Sequence, residues 1–60
     1  MKLENKRRLR LILKEANSVE ESMKEYDFKK AGLQLTTLQN RIVVLANMVY
    51  LTEVSEEEQE

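Results

Sequence analysis

The chain has 60 residues, ten basic against eleven acidic, for a net charge of −1, with one glycine and no proline, cysteine or histidine. No disulfide, no thiolate or imidazole metal site and no base titrating near neutral pH is available, so no cofactor is expected. Ser18, Ser22 and Ser55 have no histidine to activate them, and no enzyme is expected. A single core of this size seldom suffices, and with disulfides and metals excluded the remaining source of stability is association with further copies, at least as a dimer.

The first element is a helix over about residues 4–26. From Leu9 the apolar residues fall at Leu9, Ile12, Ala16, Val19, Met23 and Tyr26, an alternation of three and four that draws one stripe along a helix. A second stripe, Phe28, Ala31, Leu35, Leu38, Ile42, Leu45 and Val49, is out of phase with it, so the chain turns at about 26–28 and a second helix runs over about 28–52. Asp27 has the side chain of an N-cap for that helix. A competing break uses Gly32 as a C-terminal cap, with Thr36 and Gln39 as a capping box. A turn this short makes the helices antiparallel neighbours. The fold class is all-α: an antiparallel two-helix hairpin assembling into a homo-oligomeric helical bundle. Residues 53–60, with five glutamates and no stripe, read as an acidic flexible tail.

The second helix carries the block Ile42 to Leu51, apolar at every position except Asn47. A helix apolar nearly all round must be covered on several sides, so Leu38, Ile42, Val44, Leu45, Met48, Val49 and Leu51 are the expected oligomerisation residues. Asn47 either faces outward, or fixes register or touches a ligand as a buried amide in an apolar seam. The block is about half the ~20 residues a membrane span requires, and only Leu11 to Leu13 follow the basic start before Lys14, too short for a secretory signal. A soluble cytoplasmic protein is expected.

Charge is uneven. Lys2, Lys6, Arg7, Arg8, Arg10 and Lys14 oppose only Glu4 in the first fourteen residues, while the glutamates crowd the other end. In a hairpin the two ends are neighbours and can neutralise each other. Alternatively the cluster at the first helix's N-terminus, Arg7, Arg8, Arg10 and Lys14, binds an anion such as phosphate, because cations there oppose the helix dipole and gain nothing locally. The acidic pI of about 5.5 and the lack of a long basic face disfavour duplex DNA.

The segment Thr36-Thr37-Leu38-Gln39-Asn40-Arg41-Ile42-Val43-Val44-Leu45-Ala46-Asn47-Met48-Val49 resembles the last helix of the phage anti-CBASS nucleotide-sponge family. That family reads Thr-His-Leu-Gln, an apolar stretch, then Arg-Ala-Val. Thr36, Leu38, Gln39, Leu45 and Val49 fit; Thr37 stands where the family has histidine and Asn47 where it has arginine. Ile12-Leu13-Lys14-Glu15-Ala16-Asn17 is similar in kind to the preceding helix. The resemblance implies a compact homo-oligomer of hairpins that sequesters cyclic oligonucleotide signals at subunit junctions and lets a phage evade host immunity. The alternative is a phage or plasmid-type helical regulator or inhibitor that lays its apolar second helix against a cellular protein. A dimeric hairpin that binds RNA is a third reading.

Overall fold

The computed structural model describes residues 1–55, and among them it is all-helical. Helix α1 spans Leu3–Lys24 and α2 spans Phe28–Val49, continuing without a break into a π-helical turn, Tyr50–Val54. The two helices form an antiparallel hairpin with principal extents of 50 × 16 × 11 Å. No helix among the described residues is long and apolar enough to cross a membrane.

The reversal at residues 25–27 is a local hydrogen-bonded motif. Tyr26 adopts φ 60°, in the left-handed region. Its N–H donates to the Met23 carbonyl at 3.0 Å, and the Asp27 N–H reaches back to Ser22 at 2.9 Å. This pairing satisfies carbonyls that the end of α1 would otherwise leave open. Asp27 then caps α2, its carboxylate accepting from the Lys30 N–H at 3.1 Å. In the last turn of α1, the hydrogen bond to Glu20 and the charges of Glu20 and Glu21 raise the Lys24 pKa. Gly32 is an ordinary interior residue of α2, and Thr36 donates back to the Gly32 carbonyl at 3.1 Å instead of capping a new helix. The reversal therefore sits at Tyr26.

Residues seven apart return to nearly the same direction after two helical turns, which sorts each helix into rows. The seam of α1 consists of Asn5, Ile12 and Val19 beside Arg8, Glu15 and Ser22; that of α2 consists of Ala31, Leu38, Leu45 and Thr52 beside Gln34, Arg41 and Met48. Cross-helix contacts fix their register. Ser22 donates to Gln34 at 2.7 Å, Gln34 donates on to Ser18 at 2.8 Å, Arg41 Nε lies 2.7 Å from Glu15 Oε1, and Asn5 donates to Thr52 at 2.9 Å. Apolar and polar levels alternate along the seam, and among the described residues the buried apolar side chains are Ile12, Val19, Ala31 and Leu38.

The apolar stripes of the sequence are therefore split. Ile12, Val19, Ala31 and Leu38 enter the seam, whereas Leu9, Ala16, Met23, Tyr26, Phe28, Leu35 and Ile42 lie beside it, exposed. The helices meet about one row away from the centre of each stripe, along the line of the polar pairs. The π-helical turn also carries helical structure past 52. Glu53, expected at the start of a flexible tail, is held against α1, and residues 56–60 of that tail lie outside the described residues.

Candidate functional site

At the open end of the hairpin, Asn5 is a polar hub with 1% exposure. Its amide nitrogen donates to Thr52 Oγ1 at 2.9 Å and to Glu53 Oε2 at 2.8 Å, and its oxygen accepts from Arg8 at 3.1 Å. Thr52 passes its own proton to the Met48 carbonyl at 2.6 Å. Wider π-helical winding lets two consecutive residues, Thr52 and Glu53, face α1 where an α-helix would present one. Glu53 Oε1 accepts the Lys2 N–H at 3.0 Å and lies 3.4 Å from the Met1 ammonium. The carboxylate thus caps α1, whose Lys2 supplies no side-chain cap. The Asn5 amide, then the Lys2 N–H and the Met1 charge, hold the Glu53 pKa below its ordinary value of 4.5 against the opposing push of partial burial.

Arg8 links this hub to an open groove of about 250 Å³ lined by Arg8, Leu11, Thr37, Asn40, Arg41 and Val44. The groove's lining surface is mainly apolar, with Leu11 and Val44 beside Arg8, Arg41, Asn40 and Thr37, and the Thr37 hydroxyl donates to the Leu33 carbonyl at 3.4 Å. Arg8 is oriented by Asn5 and Arg41 by Glu15, each through one N–H, and their other donors have no partner among the described residues. Glu15 leaves its second oxygen, Oε2, buried and without a partner among the described residues. The groove can take an anion on the arginines and a flat polar group against Asn40 and Thr37.

Of the four cations expected to form the anion site, only Arg8 lines the groove. Arg7 and Lys14 lie on the same flank farther out, Arg7 loosely paired with Glu4 at 3.9 Å. Arg10 lies on the back of α1, exposed. Arg41, the one cation between Lys30 and the end of the chain, carries no charge-cluster signal in the sequence; its place across the seam from Glu15 brings it to the groove with Arg8. Among the expected oligomerisation residues, Leu38 is buried in the seam, and Leu45 and Met48 are half-buried there. Val49 is half-buried on the flank with exposed Ile42, Val44 lines the groove, and Leu51 is exposed in the π-helical turn. Asn47 is exposed, and its side chain makes no hydrogen bond among the described residues.

What fold and site define together is an all-helical hairpin with a polar seam and an arginine-lined groove. Comparison of the chain with models of protein families, with characterised proteins and with solved structures finds no match.

Proposed function

We propose that this chain is a small cytoplasmic, non-enzymatic binding protein that works as a homo-oligomer and sequesters an anionic ligand of the cyclic oligonucleotide class, as a phage-encoded sponge does. The observation that carries the reading is the groove, where Arg8 from α1 and Arg41 from α2 converge beside Asn40 and Thr37. Guanidinium groups suit phosphate oxygens because their planar N–H forks bind two oxygens at once. Leu11 and Val44 offer a surface for a base, and Asn40 both donates and accepts, as a base edge requires. At about 250 Å³ the groove is slightly smaller than typical small-molecule sites, so it fits one nucleotide unit of a larger ligand. Sequestration asks only for affinity, and the groove residues, which include no carboxylate, thiol or imidazole, match that requirement.

Titration calorimetry against cyclic di- and trinucleotides tests this. Wild type should release heat with at least one of them, Arg8→Gln should weaken binding at least tenfold, and Arg10→Gln, on the back of the same helix, should not. Absence of heat for a ligand-free wild-type preparation sinks the reading.

A second reading has its own observation. Leu33, Val43 and Tyr50 are exposed on the outer side of α2, away from the seam, as in a helix that docks on another protein. In that case the chain acts as a helical inhibitor, and alanine at Val43 and Tyr50 abolishes capture of its target while leaving nucleotide calorimetry silent throughout.

A further inference from the structure

The two flanks of the seam differ in kind. On one, the rows next to the seam are Leu9, Ala16 and Met23 of α1 and Phe28, Leu35, Ile42 and Val49 of α2, without a charged or hydrogen-bonding side chain. On the other, the equivalent rows carry Glu4, Ser18, Glu25, Lys30 and Thr37 among the apolar Leu11, Val44 and Leu51, and they border the arginine groove. Leu9, Leu13, Met23, Phe28, Leu35 and Ile42 on the first flank are each between 37% and 59% exposed. At large-side-chain dimensions they present on the order of 500 Å² of apolar surface, as much as the largest patch on a typical monomer. Two such flanks brought together bury about 1,000 Å² from these side chains alone, the threshold for a specific interface.

The hairpin's surface shows the same deficit, 4945 Å² against about 4,100 Å² for a compact monomer of 7.1 kDa. Its radius of gyration is 14.5 Å, against roughly 10 Å for a compact domain of this length.

We propose that two copies pair face to face through this apolar flank as a four-helix bundle with the turns at opposite ends, Ile42 near the two-fold axis and the arginine grooves facing outward. The placement follows from the register. Glu15 lies level with Arg41, so Ile42 lies level with the middle of α1, between Leu13 and Ala16. A two-fold axis through that level, perpendicular to the helices, sets Ile42 against its own copy and Leu35 against Val49 of the second copy. It also brings Lys6, one end of the outer row Lys6, Leu13 and Glu20, near Glu20 of the second copy, twice by symmetry. Glu20 keeps one oxygen for that contact, the other holding Lys24 at 3.1 Å. Ala16 adds little bulk at the same level, which lets the α1 helices approach. The inference rests on the self-association proposed above and adds which face does it.

Light scattering coupled to gel filtration should give wild type at twice 7.1 kDa or an even multiple of it. Ile42→Glu should lower the mass to one chain or leave only unassembled chain, whereas Val44→Glu, at an equally exposed site on the groove flank, should leave the mass unchanged. Because the chain has no cysteine, Ile42→Cys should form a disulfide-linked pair under mild oxidation and Val44→Cys should not, a readout that does not depend on how the charged variant folds. A wild type of one chain with full helical circular dichroism overturns both the self-association and this face, and leaves the flank to a different protein. A multimeric wild type that ignores Ile42→Glu, or one that Val44→Cys links and Ile42→Cys does not, overturns the face alone.

Discussion

Asn5 and Ser22, with 1% and 2% exposure, are better buried than any apolar side chain in the hairpin, while Leu9, Met23, Leu35 and Ile42, one row away, face outward. The seam and its apolar flank thus divide two tasks that one core performs in a larger domain. Polar pairs at fixed levels set the register, because a hairpin slipped by one turn leaves Asn5, Glu15 and Ser22 without partners in a partly dry seam. Apolar area, which is indifferent to small slips, remains on the flank, where it can drive association. A buried polar layer is a weak source of stability; Asn5 and Ser22 are satisfied in this one, whereas Glu15 keeps one oxygen unpaired among the described residues.

Removing the seam's hub should produce the largest effect. Asn5→Ala strips partners from Thr52, Glu53 and Arg8 at once. The expected cost is about 1–3 kcal/mol, the penalty for leaving buried polar groups unpaired. At this chain length each kcal/mol lowers the melting temperature by roughly 4–8 °C. Leu33→Ala removes a larger, exposed side chain and should change stability by less than about 0.5 kcal/mol. Melts followed by circular dichroism at one protein concentration compare the two. An equal loss in both would mean that the seam carries no special weight.

Acid should act on the same end of the seam, with a smaller effect. Glu53 has a folded-state pKa below its ordinary 4.5, so the stability its charge contributes is complete above about 4.5. It is lost as the pH falls through the lower folded value, where the carboxyl group gains a proton it could not hold beside Asn5 and the Lys2 N–H. Glu53→Gln should flatten that part of the stability profile between pH 5 and pH 3 in urea titrations. An unchanged slope in the variant would mean that the Glu53 charge does not set the acid response.

These contrasts also mark what the sequence made legible. Out-of-phase stripes and the capping chemistry of Asp27 located the reversal, because both are local: a phase shift is visible in a few turns, and an N-cap bonds three residues away. Which edge of each stripe meets the other helix was not legible. A row and its neighbour are only about 50° apart around the helix, and hydrophobic periodicity alone does not separate the contact within the chain from a contact with a further copy. Asn5 gave no signal, since its partners Thr52 and Glu53 lie almost the full chain length away and reach it only through a π-helical turn that nothing in Tyr50–Val54 announces. The uneven charge is legible in part. A glutamate at the end of the second helix opposes that helix's dipole, yet the hairpin carries Glu53 to the start of α1, where the free N–H groups favour it.

The smallest expected effect lies on the rim of the apolar flank. Gly32 is an interior residue of α2 beside the row of Phe28 and Leu35, has an ordinary helical backbone, and would place a Cβ in open space with nothing within 4 Å. Gly32→Ala should therefore stabilise the helix by up to about 1 kcal/mol, through the smaller backbone entropy of the unfolded chain and alanine's higher helix propensity. In the pairing proposed above, the axis lies ten residues away at Ile42, and Gly32 is near the turn, where the bundle tapers to its rim. The methyl group should then raise the melting temperature at every protein concentration and leave the dissociation constant of the pair unchanged within about twofold. If the melting temperature rises only in dilute solution and the pair weakens, a second copy approaches the Gly32 backbone closely, and the interface extends further toward the turn than the exposed leucines and isoleucine imply.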